Sequence, residues 1–273
     1  MAVPRAAQTR LRASAQHGAL HASLEQAHQP KGHETVQLTA KYFVEPAGSL
    51  ALQHYDVRFF GGEVPYAQHR GVLTDLVRSY LGTMGRLGIE TWLAHGTLLG
   101  WWWNGRVMPW DYDLDVQMSS RSLEWLSHAF NQSVYSSKST ASTGGAVVLK
   151  SYLLDINPHH ADLGRGDGQN IIDARWIDMQ NGMFVDITGL RERDPDLWGV
   201  WSCKNFHRYR SQDIWPLRRT EFEGVAASVP YNYEKILKDE YTDRSLVLEE
   251  YQGHRWDRVT REWVPMAPAS TSS

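Results

Sequence analysis

The chain has 273 residues, with 28 Lys and Arg against 31 Asp and Glu, and a formal net charge of −3. This charge balance excludes a broadly basic nucleic-acid binder, and we expect no nucleic-acid partner. Hydrophobic residues make up 42% and charged residues 22%, as in an ordinary globular domain. Cys203 is the single cysteine, which excludes an intrachain disulfide and a thiolate zinc cage.

The two ends of the chain differ in composition from the middle. Residues 1–40 are polar and rich in Ala, Gln and His, which predicts a flexible N-terminal arm. Residues 265–273 are rich in Pro, Ala, Ser and Thr, which predicts a disordered tail. Residues 41–264 are left as a single domain. The sequence contains no run of about 18 apolar residues, so we expect no transmembrane segment.

The periodicity of apolar residues predicts helices and strands in mixed order. Helical spacing is strongest over Tyr66–Leu87, where Gly88 is placed to end the helix. Ser120 is positioned to N-cap a second helix. The other predicted helices are 96–103, 121–130 and 231–237, and the predicted strands are 91–94, 113–118, 146–154, 171–177 and 184–187. This mixture predicts an α+β or α/β sheet of modest size.

Three acids occupy alternate positions at Asp111, Asp113 and Asp115. Because side chains two residues apart leave a strand on the same face, we expect Asp113 and Asp115 to lie a few ångströms apart. Clustered carboxylates repel one another unless a cation neutralises them, and hard oxygen ligands favour Mg²⁺ or Mn²⁺ over zinc. A solvated acidic strand end is the alternative interpretation.

Asp186 is a single acid inside the apolar stretch 182–190. A buried carboxylate needs a partner, and on a strand beside the first acids Asp186 would complete a three-carboxylate site. Such a site could hold two metal ions about 4 Å apart and clamp a phosphoryl group. A helix cap or a structural hydrogen bond is the alternative.

Upstream of these acids, Gly96 and Thr97 form a turn that enters the predicted helix 96–103. Backbone N–H groups and a hydroxyl at a helix start can hold a phosphate. His95 could bind a phosphate or orient a ligand, and a structural imidazole is the alternative.

The remaining candidate residues each have a functional and a structural interpretation. A cluster of basic residues between positions 204 and 219 could contact donor phosphates or form a solvated surface. The tryptophans at 101–103 could cover a ligand or pack against the sheet. Asp173 and Asp178 flank Arg175 closely enough for a structural ion pair, although Asp173 or Asp186 could also accept a proton from the acceptor. The basic residues in question are Lys204, His207, Arg208, Arg210, Arg218 and Arg219.

The order of these motifs resembles the nucleotidyltransferase fold. More specifically, His95–Gly100 followed by Pro109–Val116 resembles the LicD family, which includes bacterial phosphocholine transferases, the fukutins and fungal cell-wall mannosylphosphorylation proteins. The stretches Trp103–Gly105 and Asp173–Asp178 look closest to the fungal branch. The resemblance covers residues 95–241 and implies a mixed β-sheet flanked by helices, with a C-terminal helical or loop extension.

The resemblance implies a metal-dependent phosphotransferase. Such an enzyme moves a substituted phosphate from a GDP- or CDP-activated donor to a hydroxyl of a glycan or small-molecule acceptor. The group could be mannose phosphate, phosphocholine, phosphoethanolamine or a pentitol phosphate. The resemblance places the catalytic metal carboxylates at Asp113, Asp115 and Asp186, with Mg²⁺ or Mn²⁺ as cofactor.

Some positions depart from the family pattern. Bacterial members often carry Arg where this chain has Trp103, and Arg106 could substitute for it in binding an anion. We place Asp111 and Arg175 with Arg106 among the donor-binding residues. A metal-dependent glycosyltransferase and a catalytically silent regulatory member are the alternatives. A fungal glycan-modifying member would work in the Golgi lumen, and other members in the cytoplasm.

Overall fold

A computed structural model of the chain describes residues 40–140, 147–192 and 198–266. Nearly all of the predicted arm over residues 1–40 lies outside the described residues, as do residues 267–273 of the predicted tail. Pro265, the first residue of that predicted tail, instead ends the last strand. No helix of the described residues is long and apolar enough to cross a membrane.

The longest helix, α1, has the predicted bounds Tyr66–Leu87. It ends at Gly88, whose φ of 68° is left-handed and whose N–H is bonded to the last carbonyls of the helix. Its buried face, which includes Leu76 and Tyr80, packs into the main core. The other helices are α2 (His95–Asn104), α3 (Ser120–Phe130), α4 (Ser211–Ile214) and α5 (Tyr233–Tyr241), with 3-10 turns at Leu50–His54 and Asp243–Leu246.

Eight strands form one mixed sheet in the described part of the chain, which confirms the predicted α+β class. They are β1 (Trp92–Leu93), β2 (Leu114–Ser119), β3 (Ser133–Thr140), β4 (Val147–Ile156), β5 (Ala174–Asp178), β6 (Phe184–Glu192), β7 (Val200–Ser202) and β8 (Arg208–Arg210). The order is β1-β2-β6-β5-β4-β3, with β7 and β8 added at the end of β6. Only the β2–β6 pairing is parallel within these strands.

The two faces of the sheet differ in chemistry. On β2, Leu114, Val116 and Met118 are almost fully buried and pack in the same core as α1 and α3. Burying each such side chain stabilises the fold by about 1.5–3 kcal/mol. Asp115 lies between them in the strand and therefore faces the other side of the sheet. The predicted alternation along β2 is confirmed, although Asp113 precedes the strand.

Two predicted boundaries differ from those in the structure, and at both a side chain is hydrogen-bonded to the backbone. Ser119, not Ser120, caps α3, since its Oγ accepts a hydrogen bond from the Ser122 N–H at 3.1 Å. Strand β5 begins at Ala174 rather than at residue 171, and the Ile172 carbonyl just before it accepts a hydrogen bond from the Asn157 side chain.

The C-terminal extension, predicted to be helical or loop, contains α5 and also a small sheet. That sheet comprises β11 (Glu250–Tyr251), β12 (His254–Asp257) and β13 (Glu262–Pro265), and it follows a separate hairpin of β9 (Arg218–Phe222) and β10 (Val225–Val229). The ring of Trp103 packs against Trp256 and Trp263 of this sheet, with centroids 4.9 and 4.8 Å apart. Trp103 therefore has a packing role.

Candidate functional site

The structure brings the three predicted metal carboxylates together. Asp115 on β2 and Asp186 on β6 are Cα partners in the parallel pairing of the two strands, so their side chains lie side by side on one face. Asp113 immediately precedes β2. Burial raises the pKa of Asp186 to about 6, Arg175 opposes the rise, and the charges of Asp115 and Asp113 add to it. The three carboxylates are therefore close enough to repel one another electrostatically.

Arg175 on β5 is the cross-strand partner of Asp186. Its Nε donates to Asp186 Oδ1 at 2.9 Å, and its Nη2 donates to Glu45 Oε1 at 2.6 Å. The guanidinium lies over the Phe184 ring at 3.5 Å and near the Phe43 ring at 4.8 Å. Sequence reasoning placed Arg175 among the donor-binding residues or in an ion pair with its neighbours; the structure pairs it with Asp186 and Glu45.

One buried donor of Arg175 has no acceptor in the described part of the chain. Its Nη1 makes no hydrogen bond there, and because the residue is only 3% exposed, solvent does not reach that nitrogen either. A buried donor without a partner is costly, and such groups mark places where a further acceptor can bind. A ligand oxygen that accepts from Nη1 would be bound by the same guanidinium that holds Asp186.

The row of ionisable side chains continues to β4, where Asp155 is the cross-strand partner of Arg175. Asp155 is fully buried, accepts a hydrogen bond from Tyr42 Oη at 2.9 Å and pairs with Arg58 Nη2 at 2.6 Å. Tyr42 and Arg58 belong to the segment before α1, which therefore covers this end of the row. The other end of the row, at β2 and β6, carries Asp115 and Asp186, and a cation bound there would neutralise their charge.

The donor set fits a hard divalent cation. Asp113, Asp115 and Asp186 offer only carboxylate oxygens, which Mg²⁺ and Mn²⁺ prefer. Burial is the main cause of the raised pKa of Asp186, and the negative charges of Asp115 and Asp113 raise it further. A bound cation would lower that pKa and relieve the repulsion.

The first turn of α2 lies against the strand that carries Asp115. Thr97 is buried, and its Oγ1 accepts a hydrogen bond from the Asp115 N–H at 2.9 Å. The hydroxyl predicted to contact a phosphate thus ties the helix start to β2. The backbone N–H groups of Gly96 and Thr97 lie in a first helical turn, where amides lack intrahelical acceptors and favour anions.

His95 begins α2 with a left-handed φ of 51°. Its Nδ1 lies 2.6 Å from Glu240 Oε1 on α5, and its ring centroid lies 4.4 Å from that of His207. Sequence reasoning placed His207 only in a basic cluster and did not single out Glu240. No local signal could have paired residues that are 145 positions apart in the chain.

Other predicted residues lie elsewhere. Arg106 is half-exposed and pairs with Glu262 of β13 at 2.6 Å, beside a groove of about 510 Å³ that includes Glu221. Asp111 is partly exposed and its N–H donates to the Met108 carbonyl.

Two further candidates, Asp173 and Lys204, form a buried ion pair with each other. Asp173 is fully buried, with Lys204 Nζ 2.8 Å from its Oδ1, and its Oδ2 accepts from the Gly189 N–H. Burial raises the pKa of Asp173, and Lys204 opposes that rise. Lys204 therefore leaves the predicted solvated cluster, while Arg208, Arg210, Arg218 and Arg219 are exposed.

Comparisons with known proteins identify the family of the domain that carries this site. The sequence profile of the family described as "LicD/FKTN/FKRP, nucleotidyltransferase domain" matches residues 88–232, which include the paired aspartates and the first turn of α2. Two curated relatives come from Saccharomyces cerevisiae (strain ATCC 204508 / S288c). Mannosyltransferase regulator 4 is 36% identical over 161 residues, which is 56% of this chain and 13% of the relative.

The second relative, mannosyltransferase regulator 14, is 35% identical over 161 residues, which is 56% of this chain and 17% of the relative. The chain thus corresponds to a small part of each of these longer proteins. The match to the family profile, in contrast, covers more than half of this chain and contains all three clustered acids. The chain belongs to the LicD family.

Proposed function

We propose that this chain is a catalytic domain that transfers a substituted phosphate from a nucleotide-activated donor to a hydroxyl acceptor, with Mg²⁺ or Mn²⁺ as cofactor. One observation carries the proposal: Asp115 and Asp186 are in register on adjacent parallel strands, with Asp113 directly before the first. Membership of the family supports a phosphotransferase or regulatory role at a coarser level.

The residues of the site divide the work of binding. Asp113, Asp115 and Asp186 would hold the cation, which when bound supplies charge neutralisation for the donor phosphates. The first-turn amides of Gly96 and Thr97 would receive a phosphate oxygen. Arg175 keeps Asp186 in place through its Nε, and its buried Nη1 is a further donor beside the acids.

The acceptor hydroxyl must lose a proton during transfer. Of the two candidates, Asp173 is buried against Lys204 and is held by the Gly189 N–H, so it is poorly placed to receive that proton. Asp186 belongs to the cluster of three carboxylates, and we favour it as the proton acceptor. Phosphoryl transfer depends mainly on positioning and charge neutralisation, so the base contributes less than the carboxylates.

Mannose phosphate from GDP-mannose is the leading choice of transferred group. The motifs that resemble the fungal branch support it, as do the names of the two yeast relatives, which refer to a mannosyltransferase. Phosphocholine, phosphoethanolamine and a pentitol phosphate from CDP donors are the next candidates. The acceptor is a hydroxyl of a glycan or small molecule.

A nucleotide-release assay tests this proposal. Purified protein with Mn²⁺ or Mg²⁺ is incubated with GDP-mannose, CDP-choline, CDP-ethanolamine or CDP-ribitol, with and without a mannose oligosaccharide. We expect release of the nucleoside monophosphate and a new phosphodiester on the acceptor. Asp115→Asn should lower turnover on the order of a hundredfold or more, while Asp162→Asn, an exposed acid on a surface loop, should not.

Two results would contradict the proposal. Full activity in Asp115→Asn, with the protein folded, would remove the carboxylates from the chemistry. Release of the nucleoside diphosphate, with no phosphate left on the acceptor, would instead identify a glycosyltransferase.

The names of the two relatives favour one second candidate, a regulatory member that binds the donor without transferring it. Calorimetry separates the two functions. Binding of Mn²⁺ and of a nucleotide-sugar, together with no product in the presence of every acceptor tried, would support regulation.

A further inference from the structure

Three metal-ligating side chains converge at the start of α2, apart from the aspartates. They are His95 at the beginning of α2, His207 in the turn between β7 and β8, and Glu240 in the last turn of α5. One ligand atom from each lies within 4.8 Å of the other two. His95 Nδ1 and Glu240 Oε1 are already 2.6 Å apart.

Neighbouring side chains orient both imidazole rings. Cys203 Sγ lies 3.3 Å from His207 Nδ1, and Gln117 Nε2 lies 3.5 Å from His95 Nε2. A histidine that binds a metal ion usually donates its second ring N–H to a partner, which fixes the ring and its tautomer, and Cys203 Sγ is placed to accept from His207 Nδ1 in this way. His95 is 9% exposed, so its ring is also confined by the surrounding protein.

From this arrangement we propose that His95, His207 and Glu240 form a second metal site, one that takes a zinc-class ion and fastens α5 to the start of α2. Imidazole nitrogens suit Zn²⁺, whereas the all-carboxylate set at Asp113, Asp115 and Asp186 suits Mg²⁺ or Mn²⁺. Two neutral imidazoles and one carboxylate leave a single positive charge on bound Zn²⁺. The ligand type therefore separates the two sites by metal.

The geometry requires only a small adjustment. Zinc bonds to nitrogen and carboxylate oxygen are about 2.0–2.2 Å long, so ligand atoms around a tetrahedral ion lie about 3.3 Å apart. The His95 and Glu240 atoms would separate slightly, and His207, which is on a turn, would approach by up to about 1.5 Å. Three protein ligands also leave a fourth position for water.

The site would join parts of the chain that are distant in sequence. Glu240 lies beyond residues 88–232, the part that matches the family profile. Thr97, two residues after His95, accepts the hydrogen bond of the Asp115 N–H. An ion at this position would therefore hold α5 against the turn that fixes the acidic strand.

Zinc titration tests the proposal independently of any enzymatic activity. The metal-free 273-residue chain competes with a chromophoric chelator for Zn²⁺ in the presence of excess Mg²⁺. We expect one Zn²⁺ per chain, and a loss of affinity of at least about tenfold in His207→Ala and in Glu240→Gln. His159→Ala, which removes another partly exposed loop histidine, and Asp115→Asn should bind Zn²⁺ as the wild type does.

Two further measurements exclude misfolding and misassignment. Circular dichroism must show that each variant is folded, and Co²⁺ in place of Zn²⁺ should give visible d–d bands that both ligand variants lose. Absence of Zn²⁺ binding by the wild type would overturn the proposal. Wild-type affinity in both ligand variants, or loss of the ion in Asp115→Asn, would overturn it as well.

Discussion

Arg175 donates from Nε to Asp186 at 2.9 Å, and this contact joins the covered and the acidic halves of one sheet face. On one side of Arg175 lies Asp155, buried beneath the segment before α1, and on the other lie the carboxylates of the candidate metal site. A single buried guanidinium thus links the stability of the sheet to the geometry of its acids.

Arg175→Met should destabilise the protein by about 3–5 kcal/mol, because it leaves Asp186 and Glu45 without their buried cation. Urea unfolding at neutral pH measures the free energy of unfolding. Arg208→Met, at an exposed position, is the control and should change stability by less than about 0.5 kcal/mol. Equal effects of the two substitutions would show that the Arg175 pairs contribute nothing to stability.

Binding of Mn²⁺ should weaken as the pH falls through about 6, because Asp186 must lose its proton to act as a ligand. Below that pH the apparent affinity should fall by about tenfold per unit. Electron paramagnetic resonance of free Mn²⁺ measures it. Asp186→Asn should bind more weakly and lose this pH dependence, and Asp162→Asn should keep it. An unchanged profile in Asp186→Asn would assign the titration to another group.

Protonation of His69 should destabilise the fold at acid pH. Burial, with the charge of His54, lowers the pKa of His69 from 6.5 to about 4, so the folded state resists protonation. The stability contributed by the neutral ring is complete above about 6.5 and is lost as the pH falls from there towards about 4.

His69→Phe keeps an aromatic ring against Tyr112, which lies 4.3 Å away, and removes this titration. Between about pH 7 and pH 5 the variant should lose less stability than the wild type, by about 1–2 kcal/mol. Denaturant unfolding at both pH values measures the difference. His128→Gln, at an exposed position on α3, should follow the wild type. Parallel curves for wild type and His69→Phe would refute this assignment.

Gly100→Ala should destabilise the protein by about 1–3 kcal/mol, because a Cβ at that position would lie 2.5 Å from the Arg106 carbonyl oxygen. Gly85→Ala is the matched comparison within a helix. Its Cβ would meet no atom within 4 Å, so the substitution should stabilise α1 by about 0.5–1 kcal/mol. Thermal unfolding measures both. A shift of the same sign in both variants would contradict the steric argument.

Local pattern was sufficient to predict the elements that present the acids. The bounds of α1 follow from strict helical spacing and a glycine that can adopt a left-handed φ. The alternation along β2 predicted which side of the strand Asp115 would occupy. The proximity of Asp186 to it rested on the assumption that their strands are neighbours, and the pairing of β2 with β6 confirms that assumption.

The remaining features depend on contacts that sequence spacing does not encode. Glu45 and Glu240 reach Arg175 and His95 from positions 130 and 145 residues away. The three-stranded C-terminal sheet was missed because its strands are only two to four residues long, too short for a clear alternating pattern. Lys204 was expected at the surface because a lysine is rarely buried unless it is paired.

Several partners of Asp155 and Arg175 come from outside the part of the chain that matches the family profile. Tyr42, Glu45 and Arg58 all precede residue 88, where the match to the family profile begins. A fragment trimmed to residues 88–232 would uncover two buried charges and also lose the whole of α1. We therefore expect the cooperative folding unit to begin upstream of the residues that the family profile matches.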